Sequence, residues 1–268
     1  MSNLPFTTQP VETLGPLGQG TNVTFPHRPG YTRADRADDL QPAPVNIPAR
    51  PGTSADPITR AHETITNTAE LMEKYIAGID VGRYSADGLR DTIRAFADTD
   101  AARAVDQAVD QAHAHQQNTE AQLRQVRADL SPDGDTAAEL RATRYWARTQ
   151  RLLDNTDNSQ LGLTARELID TANRAELGTL LQEIEPYLNS RGQSTGWVEP
   201  YLAHAIPEYG EAAARARLAD KQLTVVQSNA NQMKTRMATL VHPGQYRSIK
   251  FVDPAVVTDR PYVNQLNR

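Results

Sequence analysis

The chain has 268 residues, 38% of them apolar and 6% aromatic, and a formal net charge of -5; an acidic balance of this kind argues against general nucleic-acid binding as the main role. It has no cysteine, which excludes disulfides, thiolate metal ligation and cysteine nucleophiles. No window approaches the apolar length of a membrane span, and Met1-Ser2-Asn3-Leu4-Pro5 is not a basic segment leading into an apolar run, so neither membrane spanning nor signal-directed export is expected.

Residues 1–55 read as an extended arm. Nine of the seventeen prolines fall there, and with Gly15, Gly18, Gly20, Gly30 and Gly52 they deny a helix or a central strand any long run. Apolar side chains nevertheless recur, among them Phe6, Leu14, Phe25, Tyr31 and Ile47. They suit an extended strap whose apolar residues dock on a neighbour or on the body of the protein; a tail without fixed structure is the plainer reading.

The body opens with a helix start at Asp56-Pro57, a cap followed by a first-turn proline. A seam then steps by three and four through Ile58, Ala61, Ile65, Thr68, Met72, Tyr75 and Ile79. Ser85 opens a short helix carrying Leu89, Ile93 and Phe96. Asp98 or Thr99 starts a long one over 100–130 with a seam from Ala102 to Leu130, interrupted by the polar pair Gln116 and Thr119. After the turn Ser131-Pro132-Asp133-Gly134, a helix to about residue 155 turns Ala138, Ala142, Tyr145, Trp146, Thr149, Leu152 and Leu153 inward. Its start is capped by Asp135, or by a box of Thr136 with Glu139. Two further boxes, Thr164 with Glu167 and Asn173 with Glu176, predict a compact helical pair within 161–206.

The cleanest seam lies in 209–241, where Ala212, Ala216, Ala219, Leu223, Val226, Ala230, Met233, Met237 and Leu240 follow one another at alternate steps of four and three. At 1.5 Å per residue such a helix is about 50 Å long, the spine of an elongated bundle. Leu223, Val226, Met233, Met237 and Leu240 are its candidate partner-binding positions. His242-Pro243-Gly244 ends it. Residues 242–268 form a second arm, with a possible strand at 246–252 that places Ile249 and Phe251 on one side as docking residues.

The expected fold is therefore all-α, an elongated antiparallel bundle of helices near 57–79, 100–130, 136–155 and 209–241, with a small helical subdomain and extended arms at both ends. Thin seams bury little per residue, so self-association is a natural completion of the core.

Candidate chemistry is sparse. His113 and His115 are two apart and diverge on a helix, and Asp133 with Asp135 is a fragment of a calcium loop without the remaining ligands, so no metal or other cofactor is expected. No glycine-flanked serine elbow and no phosphate-cradling loop is present, and no enzyme is expected. Two basic stripes stand out, Arg215, Arg217, Lys221, Lys234 and Arg236 on the long helix, and Arg141, Arg144, Arg148 and Arg151 on the helix after residue 135. A solvated face accounts for either; contact with nucleic acid or with an acidic partner helix is the alternative. Aromatic stacking partners are scarce beside both.

The proline-bearing arm, the helices rich in Ala, Arg, Asp and Thr, and the short terminal arm resemble the organisation of structural and assembly proteins of tailed bacteriophages, in particular minor capsid, connector-associated or scaffold-like proteins of phages infecting GC-rich actinobacteria. The codon-driven preference for arginine over lysine, 28 basic residues of which four are lysines, fits such a source. The resemblance implies a non-enzymatic virion component, assembled in the host cytoplasm, whose partners are other virion subunits and itself, with nucleic acid secondary and no membrane. A transient scaffold or assembly chaperone is the alternative, and an enzyme or nucleic-acid-binding factor without a recognisable motif the third.

Overall fold

The computed structural model describes residues 45–258, and they form an all-α, elongated bundle with no strand among them. Eight α-helices follow in order among the described residues: α1 (Pro57–Ala77), α2 (Ala86–Arg94), α3 (Asp100–Leu130), α4 (Thr136–Asp154), α5 (Leu161–Thr171), α6 (Arg174–Ser190), α7 (Val198–Ala205) and α8 (Pro207–Thr239).

Local chemistry sets most of the boundaries. The Asp56 carboxylate accepts the Thr59 amide at 2.7 Å, the Thr99 hydroxyl accepts the Ala102 amide at 3.2 Å, and Asn173 with Glu176 makes a reciprocal capping box. At α4 the cap is Asp135, while Glu139 reaches back to the Gly134 amide at 2.9 Å. The expected box at Thr164 is not used. The helix starts three residues earlier at Leu161, a fully buried side chain, so tertiary burial rather than a capping side chain decides that end.

The framework is an antiparallel pair, α3 against α8, joined by α1. His113 meets Gln227 and Asp106 meets Lys234, and nearer the other end the Arg127 guanidinium donates to the Tyr209 hydroxyl at 3.0 Å. These pairs place the last turns of α3 beside the first turns of α8. Two apolar cores sit at opposite ends of this pair. One joins α1, α2, the first half of α3 and the second half of α8, around Ile65, Met72, Phe96, Val105, Val226 and Met233. The other gathers the ends of α3 and α8 with α4 to α7, around Leu153, Leu161, Leu180, Ile184, Leu188 and Tyr209. Between them lies the polar stretch predicted on α3, where buried Thr119 returns its hydroxyl to the Gln116 carbonyl at 2.8 Å.

Two expectations change here. The helix over 136–155 does not join the long bundle; α4 packs on α6 and α5, and so belongs with the smaller helices. Leu152 points outward, half exposed, whereas Thr149 and Leu153 turn in. The reason is that α4 meets its neighbours over a narrow contact, Trp146 edge-on to Tyr187 at 5.9 Å, which covers one edge of the helix only. Crossing is close where glycine permits it. A methyl group on Gly178 would lie 2.0 Å from the Leu130 carbonyl oxygen, and one on Gly210 would lie 2.3 Å from that of Ala203.

Candidate interaction surfaces

Two features of the described body stand out as candidate interaction surfaces: the grooves that carry its own extended segments, and the arginine-bearing face of α4.

Residues 46–56 run back along α1 and are held through their main chain. The Thr64 hydroxyl accepts the Gly52 amide at 2.8 Å, the Glu63 carboxylate accepts those of Thr53 and Ser54 at 2.7 and 3.1 Å, and the Asn67 carboxamide donates to the Arg50 carbonyl at 3.0 Å. Arg60 donates to the carbonyls of Ser54 and Ala55. Further along, the Ile47 carbonyl accepts the Ala101 amide at 3.1 Å, satisfying one of the free donors in the first turn of α3. Only glycine fits at residue 52, where an added methyl would come within 2.4 Å of the Arg60 carbonyl oxygen.

The segment after α8 folds back along α8 and α1. Tyr246, Ile249 and Phe251 pack partly buried on the first core, and Pro254 is buried. The stretch 246–252 is not a strand, which corrects the sequence reading. Its alternation is real, but its hydrogen-bonding partner is a side chain: Asn229, fully buried on α8, donates to the Val252 carbonyl at 2.8 Å and accepts the Val252 amide at 3.2 Å. One carboxamide thus does for a single residue what a neighbouring strand does for a row of them. Gln222 adds a bond to the Pro254 carbonyl at 3.3 Å. Sequence reasoning passed over Asn229. Its position three residues after Val226 and one before Ala230 was the available signal, a carboxamide on the seam face.

Of the other predicted positions, Leu223, Val226, Met233, Met237 and Leu240 are all buried by the chain's own α1 to α3 and strap, so they fill the body and are not on its surface. Ile249 and Phe251, expected as docking residues for a partner, pack partly buried on the chain's own first core. Phe6, Leu14, Phe25 and Tyr31 lie outside the described residues.

The two basic stripes differ. On α8, Lys234 pairs with Asp106, and Arg217 pairs with Glu199 at 3.1 Å, so that face is partly neutralised from within. On α4, Arg141, Arg144, Arg148 and Arg151 are exposed, and none has an acidic partner among the described residues. Arg141 and Arg148 bond only to carbonyls one turn back in their own helix, at 3.0 and 3.2 Å. All four line a groove of about 1030 Å³ between α4, the end of α3 and the start of α6. Ala138, Ala142 and Tyr145 supply its apolar part, and burial pushes the Tyr145 phenol up from its ordinary value. A second groove, of about 770 Å³, follows α8 beside Ile249 and is lined by uncharged polar side chains such as Gln227 and Asn231, with Arg236.

Among the described residues no helix is long and apolar enough to cross a membrane, and no group of acids and histidines is placed to hold a metal ion. The fold defines an all-α helical bundle that binds extended chain on its surface. Comparison with protein-family models, with curated proteins and with solved structures finds no match to this chain.

Proposed function

We propose that the chain is a non-enzymatic structural subunit of a tailed-phage particle, held among neighbouring subunits by its extended ends and its helical body. The observation that carries this reading is the pair of straps. Both extended segments are gripped chiefly through their main-chain groups, by Thr64, Glu63 and Asn67 on α1 and by Asn229 on α8. The main-chain bonds hold the segments extended, glycine at residue 52 and the packed Tyr246, Ile249 and Phe251 fix their register, and the same contacts serve whether the segment comes from the same chain or from a neighbour. Exchange of such arms between subunits is a low-cost way to build a large array, because each bond lost in one chain is regained in the next.

A transient assembly scaffold is the second reading, favoured by α4, of whose nineteen residues only Thr149 and Leu153 are buried. Quantitative mass spectrometry of gradient-purified particles from cells carrying the source genome separates the two. A fixed ratio of this chain to the main shell protein in mature particles is expected of a permanent subunit. Presence in precursor particles alone selects the scaffold, and absence from particles at every stage refutes both.

A further inference from the structure

We infer that the groove beside α4 is a docking site for an acidic amphipathic helix of a partner protein. This goes beyond the structural-subunit reading and does not depend on it, since it concerns a face that the straps do not touch.

Three observations meet at this face. The first is that α4 is sparsely covered: it packs on α5 and α6 along one edge, and of its nineteen residues only two are buried. A helix in a folded body is normally held by a broad apolar stripe, and this one is held by an edge. The second is charge. Arg141, Arg144, Arg148 and Arg151 recur at steps of three and four, which keeps them on one face over about 15 Å of helix. Their guanidinium groups form no ion pair with a described carboxylate, whereas those of Arg83, Arg90, Arg103 and Arg174 all do. The third is shape. The arginines border a groove of about 1030 Å³ whose apolar part is Ala138, Ala142 and Tyr145.

The chemistry of the lining selects among polyanions. Asp129 and Glu176 also line the groove, so the occupant's negative charge must lie along the arginine edge alone, a placement that a helix with acids on one edge allows and a chain of evenly spaced phosphates does not. An apolar floor gives a phosphate chain nothing to bury. A helix with carboxylates along one edge and small or aliphatic residues along the next satisfies both features, its acids placed at matching steps of three and four opposite the arginines and its apolar stripe lying on the alanines. Arginine suits this better than lysine, because its planar fork engages a carboxylate through two parallel bonds.

The test uses the full chain and a labelled amphipathic peptide of about 18 residues, with glutamates at helical spacing beside a leucine and alanine stripe. Fluorescence anisotropy should show saturable binding that weakens as salt rises from about 0.05 to 0.3 M. The double substitution Arg144→Gln with Arg148→Gln alters two exposed residues and leaves the circular dichroism unchanged; it should weaken binding roughly tenfold, as expected for two pairs at a partly desolvated rim. The exchange Arg144→Glu with Arg148→Glu should abolish binding of the glutamate peptide and create binding of its lysine counterpart. In the free chain at low concentration, all four arginines should react with phenylglyoxal, and the peptide should protect them. The inference is overturned if the peptide fails to bind, or if a scrambled peptide of the same composition binds equally. Tighter binding of a DNA duplex than of the peptide would overturn it in favour of a nucleic-acid site. Arginines unreactive in the free chain would overturn it by showing the face already covered, by another part of the chain or by a second copy.

Discussion

Replacing Asn229 with alanine should release the strap that follows α8 while leaving the bundle folded. The side chain is fully buried and makes two bonds to one residue, 2.8 Å to the Val252 carbonyl and 3.2 Å from the Val252 amide. A neutral bond of this kind contributes about 0.5–1.5 kcal/mol net, so the pair holds the strap by about 1–3 kcal/mol. That is roughly five- to 150-fold in the population of the detached strap. Trypsin reads it directly, because cleavage after exposed Lys250 requires the surrounding chain to leave the body, and under native conditions its rate follows the detached fraction. Cleavage in Asn229→Ala should rise by about that factor, with helical circular dichroism retained. Asn229→Asp is more severe at neutral pH, since one carboxylate oxygen would face the Val252 carbonyl and a charge would be buried. Burial and the facing carbonyl raise the pKa of the introduced carboxyl in the folded protein above its unfolded value. The folded state then binds the proton more strongly, so the defect eases as pH falls through that raised pKa, when the protonated acid donates to the carbonyl as the carboxamide did. Unchanged cleavage after Lys250 in Asn229→Ala would refute the clamp, and an Asn229→Asp defect that deepens on acidification would refute the hydrogen-bond polarity assigned to it.

Gly178→Ala should destabilise the protein by about 2–4 kcal/mol in urea unfolding, because the methyl would press on the Leu130 carbonyl 2.0 Å away, and the close crossing of α6 over the end of α3 cannot absorb it. Gly162→Ala, with no atom within 4 Å of the added methyl, should instead be neutral or stabilising by up to about 1 kcal/mol; equal effects at the two sites would sink the packing argument. Leu223→Asp puts a charge at a buried seam position and should cost at least about 4 kcal/mol, seen as loss of helical circular dichroism at a much lower temperature; retained helicity would mean the seam is not buried. Tyr75, Tyr145, Tyr187, Tyr209 and Tyr246 have phenols pushed up chiefly by burial, and Tyr201 by its bond to Asp170. Since the folded state holds these protons more tightly, their contribution is intact below the unfolded value of about 10 and is lost as pH rises through the raised folded values. Thermal melts should therefore hold steady up to about pH 9 and decline above about pH 10; a melting temperature that rises there would contradict the assignment.

The three long helices were legible because two independent signals coincide in each. Asp56-Pro57 and Thr99 mark the beginnings of the first two, His242-Pro243-Gly244 marks the end of the third, and apolar seams at steps of three and four mark the buried faces. The observed ends at Ala77, Leu130 and Thr239 fall close to those expected. The smaller helices were legible as helices but not in their placement. The α4 pattern of Tyr145, Trp146, Thr149, Leu152 and Leu153 is compatible with a long bundle face and with a narrow edge contact, and periodicity records the face without naming the neighbour. For the same reason the arginine stripe could be located along the chain, yet its lack of carboxylate partners could not, because the α8 stripe looks alike in sequence and is neutralised by Asp106 and Glu199 from elsewhere in the chain.

By itself, then, the sequence determined the all-α class, the extent of the long helices and the extended character of the segments flanking them, because caps, prolines and hydrophobic period act over neighbouring residues. Tertiary structure alone decided that the seam of α8 is covered by α1 and α3, that Asn229 clamps Val252 and Thr64 clamps Gly52, and that α4 keeps an arginine-lined groove open. Each of these joins residues distant in the chain, and a single side-chain bond across such a distance leaves no period or spacing in the sequence from which to read it.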